Sequence, residues 1–231
     1  MTRLPAILFL ITLPLLSYSQ LLQAVAGATA STAAGYSGNE SIPGNIFAGY
    51  TLGMYGDIPL KRGSSCALRS GMVFTRWGSR FAAGAADCTG SNRPLGFSYL
   101  QSPVLFVQRF ALSLMTNLLI GAGPYAAWRI NSPSQVFKVE RMNNHYYGAL
   151  YPENGSDRNY YSSLDYGLSF HCSVEIHNRL SVCLQYDHGL RNILGHSTGT
   201  GLYKRGTTLS FGYYLNMRKF LNRQFPLTKS N

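Results

Sequence analysis

Ser169, His171 and Ser173, with Asp165 and Asp187 nearby in the chain, are the residues whose types could combine into chemistry. A serine hydroxyl, an imidazole to take its proton and a carboxylate to orient the imidazole would make a hydrolase of the kind that trims envelope lipid. Their spacing argues against that reading. Residues two apart on an extended chain sit roughly 6–7 Å apart and project in parallel, which predicts poor reach between base and nucleophile. Cys66, Cys88, Cys172 and Cys183 are even in number, so disulfides come into question. No Cys-x-x-Cys pair or His/Cys ligand spacing accompanies them, so the expectation is no metal, no cofactor and no catalytic residue.

The elements that must position these residues are strands. Alternation at period two dominates the chain, and helical periodicity is nearly absent. Eight segments are predicted. The first sets Val25, Gly27, Thr29 and Ser31 against Ala24, Ala26, Ala28 and Ala30. The second, about Asn45 to Ile58, sets Ile46, Ala48, Tyr50, Leu52 and Met54 against Gly49, Thr51, Gly53, Tyr55 and Asp57. The third (about Ser65 to Gly78) opposes Leu68, Met72 and Phe74 to Arg69, Gly71 and Thr75. The fourth runs about Phe97 to Arg109 and the fifth about Asn117 to Ile130. The sixth, about Tyr160 to Glu175, is the clearest, with Tyr166, Leu168, Phe170, Cys172 and Val174 on one face and Asp165, Gly167, Ser169, His171 and Ser173 on the other. The seventh runs Leu180 to Asn192, and the eighth sets Leu209, Phe211 and Tyr213 against Thr208, Ser210, Gly212 and Tyr214. Cys172 falls in the apolar register and Cys183 in the polar one, so the two face opposite sides and cannot be bridged.

Connections alternate short and long, and the longest, about Asn131 to Asn159, carries Tyr146, Tyr147, Tyr151 and the Asn154-Gly155 pair. Residues 1–19 read as a signal peptide: Arg3, a short apolar run, then Ser17-Tyr18-Ser19 before a cut at Gln20, with Ala24-Val25-Ala26 as a competing site. Beyond it no stretch approaches twenty apolar residues, which argues against a helical membrane protein. The pattern predicts an all-β, eight-stranded antiparallel transmembrane barrel over residues 20–217, with short periplasmic turns, longer extracellular loops and a basic tail over 218–231. A sandwich shares the alternation; the loop asymmetry, the aromatics at strand ends and the small polar residues opposite the apolar face favour the barrel.

In that barrel Arg69, Gln101, Asp165, His171, Glu175, Gln185 and Asp187 point inward. Eight strands leave a lumen just wide enough for side chains, so these charges must pair with one another, Arg69 with Glu175. The formal charge of +11 on an exported chain points to anionic lipid or cell-wall carboxylates, not nucleic acid. Lys61, Arg62, Arg109, Arg179, Arg218, Lys219, Arg223 and Lys229 are expected on short turns or the tail, as a periplasmic rim that anchors at headgroups or docks a periplasmic or cell-wall partner.

Five fragments in this order resemble the bacterial outer-membrane β-barrel domains grouped with PorT and the small porin-like proteins. They are Phe47-Ala48-Gly49 leading to Asp57-Ile58-Pro59-Leu60; Tyr99-Leu100-Gln101-Ser102-Pro103; Gly121-Ala122-Gly123-Pro124-Tyr125; Asp165-Tyr166-Gly167-Leu168; and Tyr186-Asp187-His188-Gly189-Leu190-Arg191-Asn192-Ile193. The resemblance covers about Gln23 to Asn216 and implies an eight-stranded barrel in the outer membrane of a Gram-negative bacterium, with no known ligand or chemistry for most members. Some relatives look like accessory parts of secretion machinery. Ser102 stands where the family favours a branched apolar residue and Gly71 where an acidic one is common, and the chain continues past the last strand. The functional expectation is a monomeric structural or interaction protein of the envelope, serving integrity, adhesion or support of an envelope complex. A lipid-modifying hydrolase and a narrow solute channel are the rivals.

Overall fold

The computed structural model describes residues 21–37, 40–60, 65–83, 92–131, 135–142, 145–152, 160–177, 179–194 and 200–215. They form eleven strands: β1 (Leu21–Ser37), β2 (Glu40–Pro43), β3 (Phe47–Pro59), β4 (Cys66–Ala83), β5 (Asn92–Ser113), β6 (Thr116–Asn131), β7 (Gln135–Met142), β8 (His145–Pro152), β9 (Leu164–Ile176), β10 (Leu180–Gly189) and β11 (Thr200–Leu215). Eight of them close a ring. Antiparallel ladders run β1–β3, β3–β4, β4–β5, β5–β6, β6–β9, β9–β10 and β10–β11, and β11 returns to β1 through sixteen partners from Leu22↔Leu215 to Ser37↔Thr200. Closure pairs the backbone without leaving an edge, which is the condition for crossing lipid with strands.

Alternation then decides what faces what. Tyr50, Leu52, Met54, Phe106, Ile120, Leu168, Phe170, Leu184, Leu209 and Phe211 are exposed large apolar side chains. They form the belt that meets hydrocarbon, while the intervening positions fill the lumen. The turns at one end are short: Leu114 and Met115 join β5 to β6, and β9 reaches β10 through 177–179, with His177 at φ 54° in the left-handed region. Strands in the middle of the sheet are long; β5 has 22 residues where a tilted crossing needs about 9–11. The wall therefore rises well past the bilayer on the loop side.

The segment expected as the long loop contains a β7–β8 hairpin. It docks in parallel on the top of β4, Ala82↔Ala149 and Ala83↔Leu150. Two gaps interrupt the wall at mid-height. The β4–β5 ladder skips from Ser70↔Val104 to Val73↔Gln101, beside Pro103, and the β5–β6 ladder skips from Pro103↔Tyr125 to Phe106↔Ala122, beside Pro124. Each proline lacks the N–H that the missing rung needs. The segments expected as signal peptide (1–19) and tail (218–231) lie outside the described residues.

Candidate functional site: a filled lumen

All seven side chains expected inside are buried there: Arg69, Gln101, Asp165, His171, Glu175, Gln185 and Asp187. They sort into two charged groups. Near the turn end Arg69, fully buried, lies directly across the β3–β4 ladder from Asp57. Its Nε donates to Asp57 Oδ1 at 2.7 Å and its Nη2 to Oδ2 at 2.8 Å, the two-pronged geometry a guanidinium makes best. Nη1 lies 2.8 Å from His171 Nε2, and Nη2 donates to the Tyr214 hydroxyl at 2.7 Å. Because Arg can only donate, Nε2 is the accepting nitrogen and Nδ1, 3.3 Å from Cys183 Sγ, carries the ring proton. Tyr214 in turn donates to Glu175.

The expected Arg69–Glu175 pair is present but long, at 3.8 Å; Asp57 is the principal partner. Arg109, expected on a turn, is a strand residue. Its half-exposed side chain reaches into the mouth, with Nε 3.0 Å from Glu175 Oε2 and Nη2 3.7 Å from Asp57 Oδ2. Two guanidinium groups thus face two carboxylates, which keeps each buried charge compensated.

Above this group Lys204 Nζ donates to Gln101 Oε1 at 2.8 Å and lies 3.3 Å from Asp187 Oδ2. Asp187 also accepts from Gln101 Nε2, Gln185 Nε2 and Ser169 Oγ. Lys204 Nζ stands 4.8 Å from the centre of the Tyr125 ring, a cation–π contact in a desolvated setting. The Tyr125 hydroxyl donates to Asp165 Oδ2 at 2.9 Å. A small polar cavity of about 10 Å³ remains beside Tyr55, Gln101, Gln185 and Asp187, room for roughly one water.

The upper lumen has a different filling. Trp77, Phe81, Leu95, Phe97, Tyr99, Tyr161, Ile193 and Leu202 form one buried apolar cluster. Trp77 stacks on Phe97 at 5.4 Å, and Tyr161 meets Phe97 edge-on at 5.0 Å. Phe137 of the hairpin inserts against Phe81 at 4.6 Å, and its backbone N–H donates to the Tyr161 hydroxyl at 2.8 Å. Asn192 fastens the next connection, accepting from the N–H groups of Leu194 and Leu202 and donating to the Thr200 carbonyl.

His171 and Ser173 come closer than their strand spacing predicts, Nε2 to Oγ 3.2 Å. The contact is not that of a nucleophile and its base. Nε2 is shared with Arg69, Ser169 is bound to Asp187, and both serines are buried among packed side chains. Gly195-His196-Ser197-Thr198-Gly199 has the Gly-x-Ser-x-Gly spacing of a nucleophile elbow. That motif needs a strand running into a helix; here the flanking elements are the antiparallel strands β10 and β11, and the pentapeptide lies outside the described residues. Cys172 is exposed on the lipid side and Cys183 buried in the lumen, both as free thiols, on opposite faces as their registers require. Among the described residues no group of three or more metal-binding side chains is present. Of the expected basic rim, Arg179 is exposed at the short turn; Lys61, Arg62, Arg218, Lys219, Arg223 and Lys229 lie outside the described residues.

A closed ring of eight antiparallel strands with an apolar outer belt and a charge-filled lumen defines an outer-membrane β-barrel. The chain belongs to the outer membrane protein β-barrel domain family, whose model matches residues 18–195. Among solved structures it is similar to OprG from Pseudomonas aeruginosa, 9% identical with TM-score 0.48, over 86% of this chain and 96% of that one. It is also similar to the outer membrane enzyme PagL (16% identical, TM-score 0.44, 80% of this chain and 98% of that one). Ail, the attachment invasion locus protein of Yersinia pestis, is 9% identical with TM-score 0.35, over 85% of this chain and 99% of that one. At this distance the likeness assigns no role. No curated protein matches the sequence.

Proposed function

We propose that this outer-membrane barrel is a structural or interaction protein of the envelope, a rigid stalk that presents its loop end outside and its turn end to the periplasm. The observation that carries the reading is the filling of the lumen. Paired charges occupy the lower half and an aromatic plug the upper, and the cavity beside Tyr55, Gln101, Gln185 and Asp187 has room for about one water. A transport path would have to break both. The hydrolase reading loses support because His171 and its neighbouring serines are sealed in and already bonded. An N-terminal signal directs export in this reading, and the barrel works as a monomer. The likeness to PorT-type barrels favours support of an envelope or secretion complex, with the basic tail as the periplasmic contact.

Two measurements test the proposal. Purified full-length protein in a planar bilayer should give no stepwise conductance, and frequent open events would overturn the closed-stalk reading. Removing 218–231 should leave a heat-modifiable, folded barrel that no longer co-purifies with its envelope partner; unchanged co-purification would remove the tail from the proposal.

A further inference from the structure

Among the described side chains, those that face outward carry charge of one sign. All four acidic side chains placed by the structure, Asp57, Asp165, Glu175 and Asp187, are buried in the lumen. Arg76 and Arg80, by contrast, project outward near the top of β4 and are exposed, and Arg205 projects outward on β11. Among the described residues none of these three lies within ion-pair distance of a carboxylate. Arg205 Nη1 is pinned by the carbonyls of Gly189 (2.7 Å) and Lys204 (2.9 Å), which leaves donors over on a group that carries five.

The surface between these arginines has a definite shape. On β1 the outward residues are Ala24, Ala26, Ala28 and Ala30. Each pair of neighbours is large on both sides at the first three levels: Met54 and Tyr213, Leu52 and Phe211, Tyr50 and Leu209. At the fourth level they are small, Ala48 and Thr207. The result is a trough about 20 Å long, one strand wide, with an alanine floor and ridges of half-exposed aromatic and aliphatic side chains. It widens at the loop end. There Arg205 faces Thr32, and Arg80 bridges to Asn45, two residues before the Phe47 that faces Ser31. The arginines thus flank the mouth, roughly three strand spacings or about 14 Å apart.

We infer that this trough and its arginines seat a phosphorylated, acylated saccharolipid of the outer leaflet, one acyl chain lying on the alanine floor and phosphate groups held by Arg80 and Arg205. Charge complementarity selects an anionic headgroup, and Arg matches phosphate oxygens with paired donors. The bilayer depth selects the chain: the floor lies within the apolar belt and the cations at its outer edge. The inference rests on the orientation above, with the loop end outside, but not on whether the barrel supports a complex, so the two readings fail separately.

The test is native mass spectrometry of the folded full chain released from micelles doped with bisphosphorylated lipid A. Parallel samples carry dephosphorylated lipid A or phosphatidylglycerol. The wild type should retain the bisphosphorylated lipid at least about tenfold better than either alternative. Arg80→Gln/Arg205→Gln should lose about tenfold in retention, the scale of one charge-assisted contact, with heat-modifiability intact. Ala26→Leu/Ala28→Leu should lose retention as well by filling the trough; the arginine pair keeps the test alive if that variant folds poorly. Equal retention by the arginine variant, or of the dephosphorylated lipid, would overturn the site. Equal retention of phosphatidylglycerol would overturn the assignment to a saccharolipid.

Discussion

The two halves of the lumen solve the same problem by opposite means. Both must fill a cylinder too narrow for bulk water and too wide to be left empty. The lower half does it with charges: Arg69 and Arg109 against Asp57 and Glu175, then Lys204 against Asp187. The upper half does it with Trp77, Phe97, Tyr161 and the hairpin's Phe137. The difference reflects what lies outside. Around the lower half the wall stands in lipid, so the outward positions must be apolar and the polar residues of an alternating strand have only the inside left. Higher up the wall has left the bilayer, water covers its outer side, and a conventional apolar core becomes possible.

Truncation should separate the halves. Arg69→Ala strands the buried Asp57 and Glu175 carboxylates and should cost about 5 kcal/mol, read as a lowered urea midpoint of the heat-modifiable form in micelles. Trp77→Ala opens a cavity in the upper plug and should cost about 4 kcal/mol. A smaller loss for Arg69→Ala than for Trp77→Ala would break the contrast. Lys204→Met should cost about 3 kcal/mol, and Lys204→Met/Asp187→Leu should recover most of it, because a removed pair leaves no orphan while a halved pair does. Phe137→Ala should change the global midpoint by under about 1 kcal/mol yet expose the hairpin to protease, since β7 and β8 lie off the ring. The smallest effect is chemical: in liposomes Cys172 should react with a lipid-soluble maleimide, and Cys183 only after unfolding.

Much of this was legible because a strand has period two. Once Arg69 and His171 are assigned inward, every second neighbour follows, and all seven expected lumen residues are inside. Parity does not reveal how far a strand runs. The eighth segment is recognisable in sequence from Thr208, so Lys204, on the same inward parity four residues earlier, falls outside it although β11 begins at Thr200. Arg109 reads as a turn residue for the same reason, since β5 continues to Ser113. The choice of Asp57 over Glu175 as the main partner of Arg69 depends on β3–β4 register, which no single strand carries. The hairpin is not readable from its own sequence because its docking joins Phe137 and Leu150 to a cluster built by residues distant in the chain and pairs β8 with the top of β4.

The missing rungs beside Pro103 and Pro124 give the wall a mechanical grain. A seamless hoop under tension shares load around its circumference, whereas a perforated one parts along the perforation. Here the perforations lie on both flanks of the middle of β5, so a pull across the barrel concentrates at that one strand. Among the described ladders, two pyrrolidine rings thus choose a line along which the wall has fewest rungs to part.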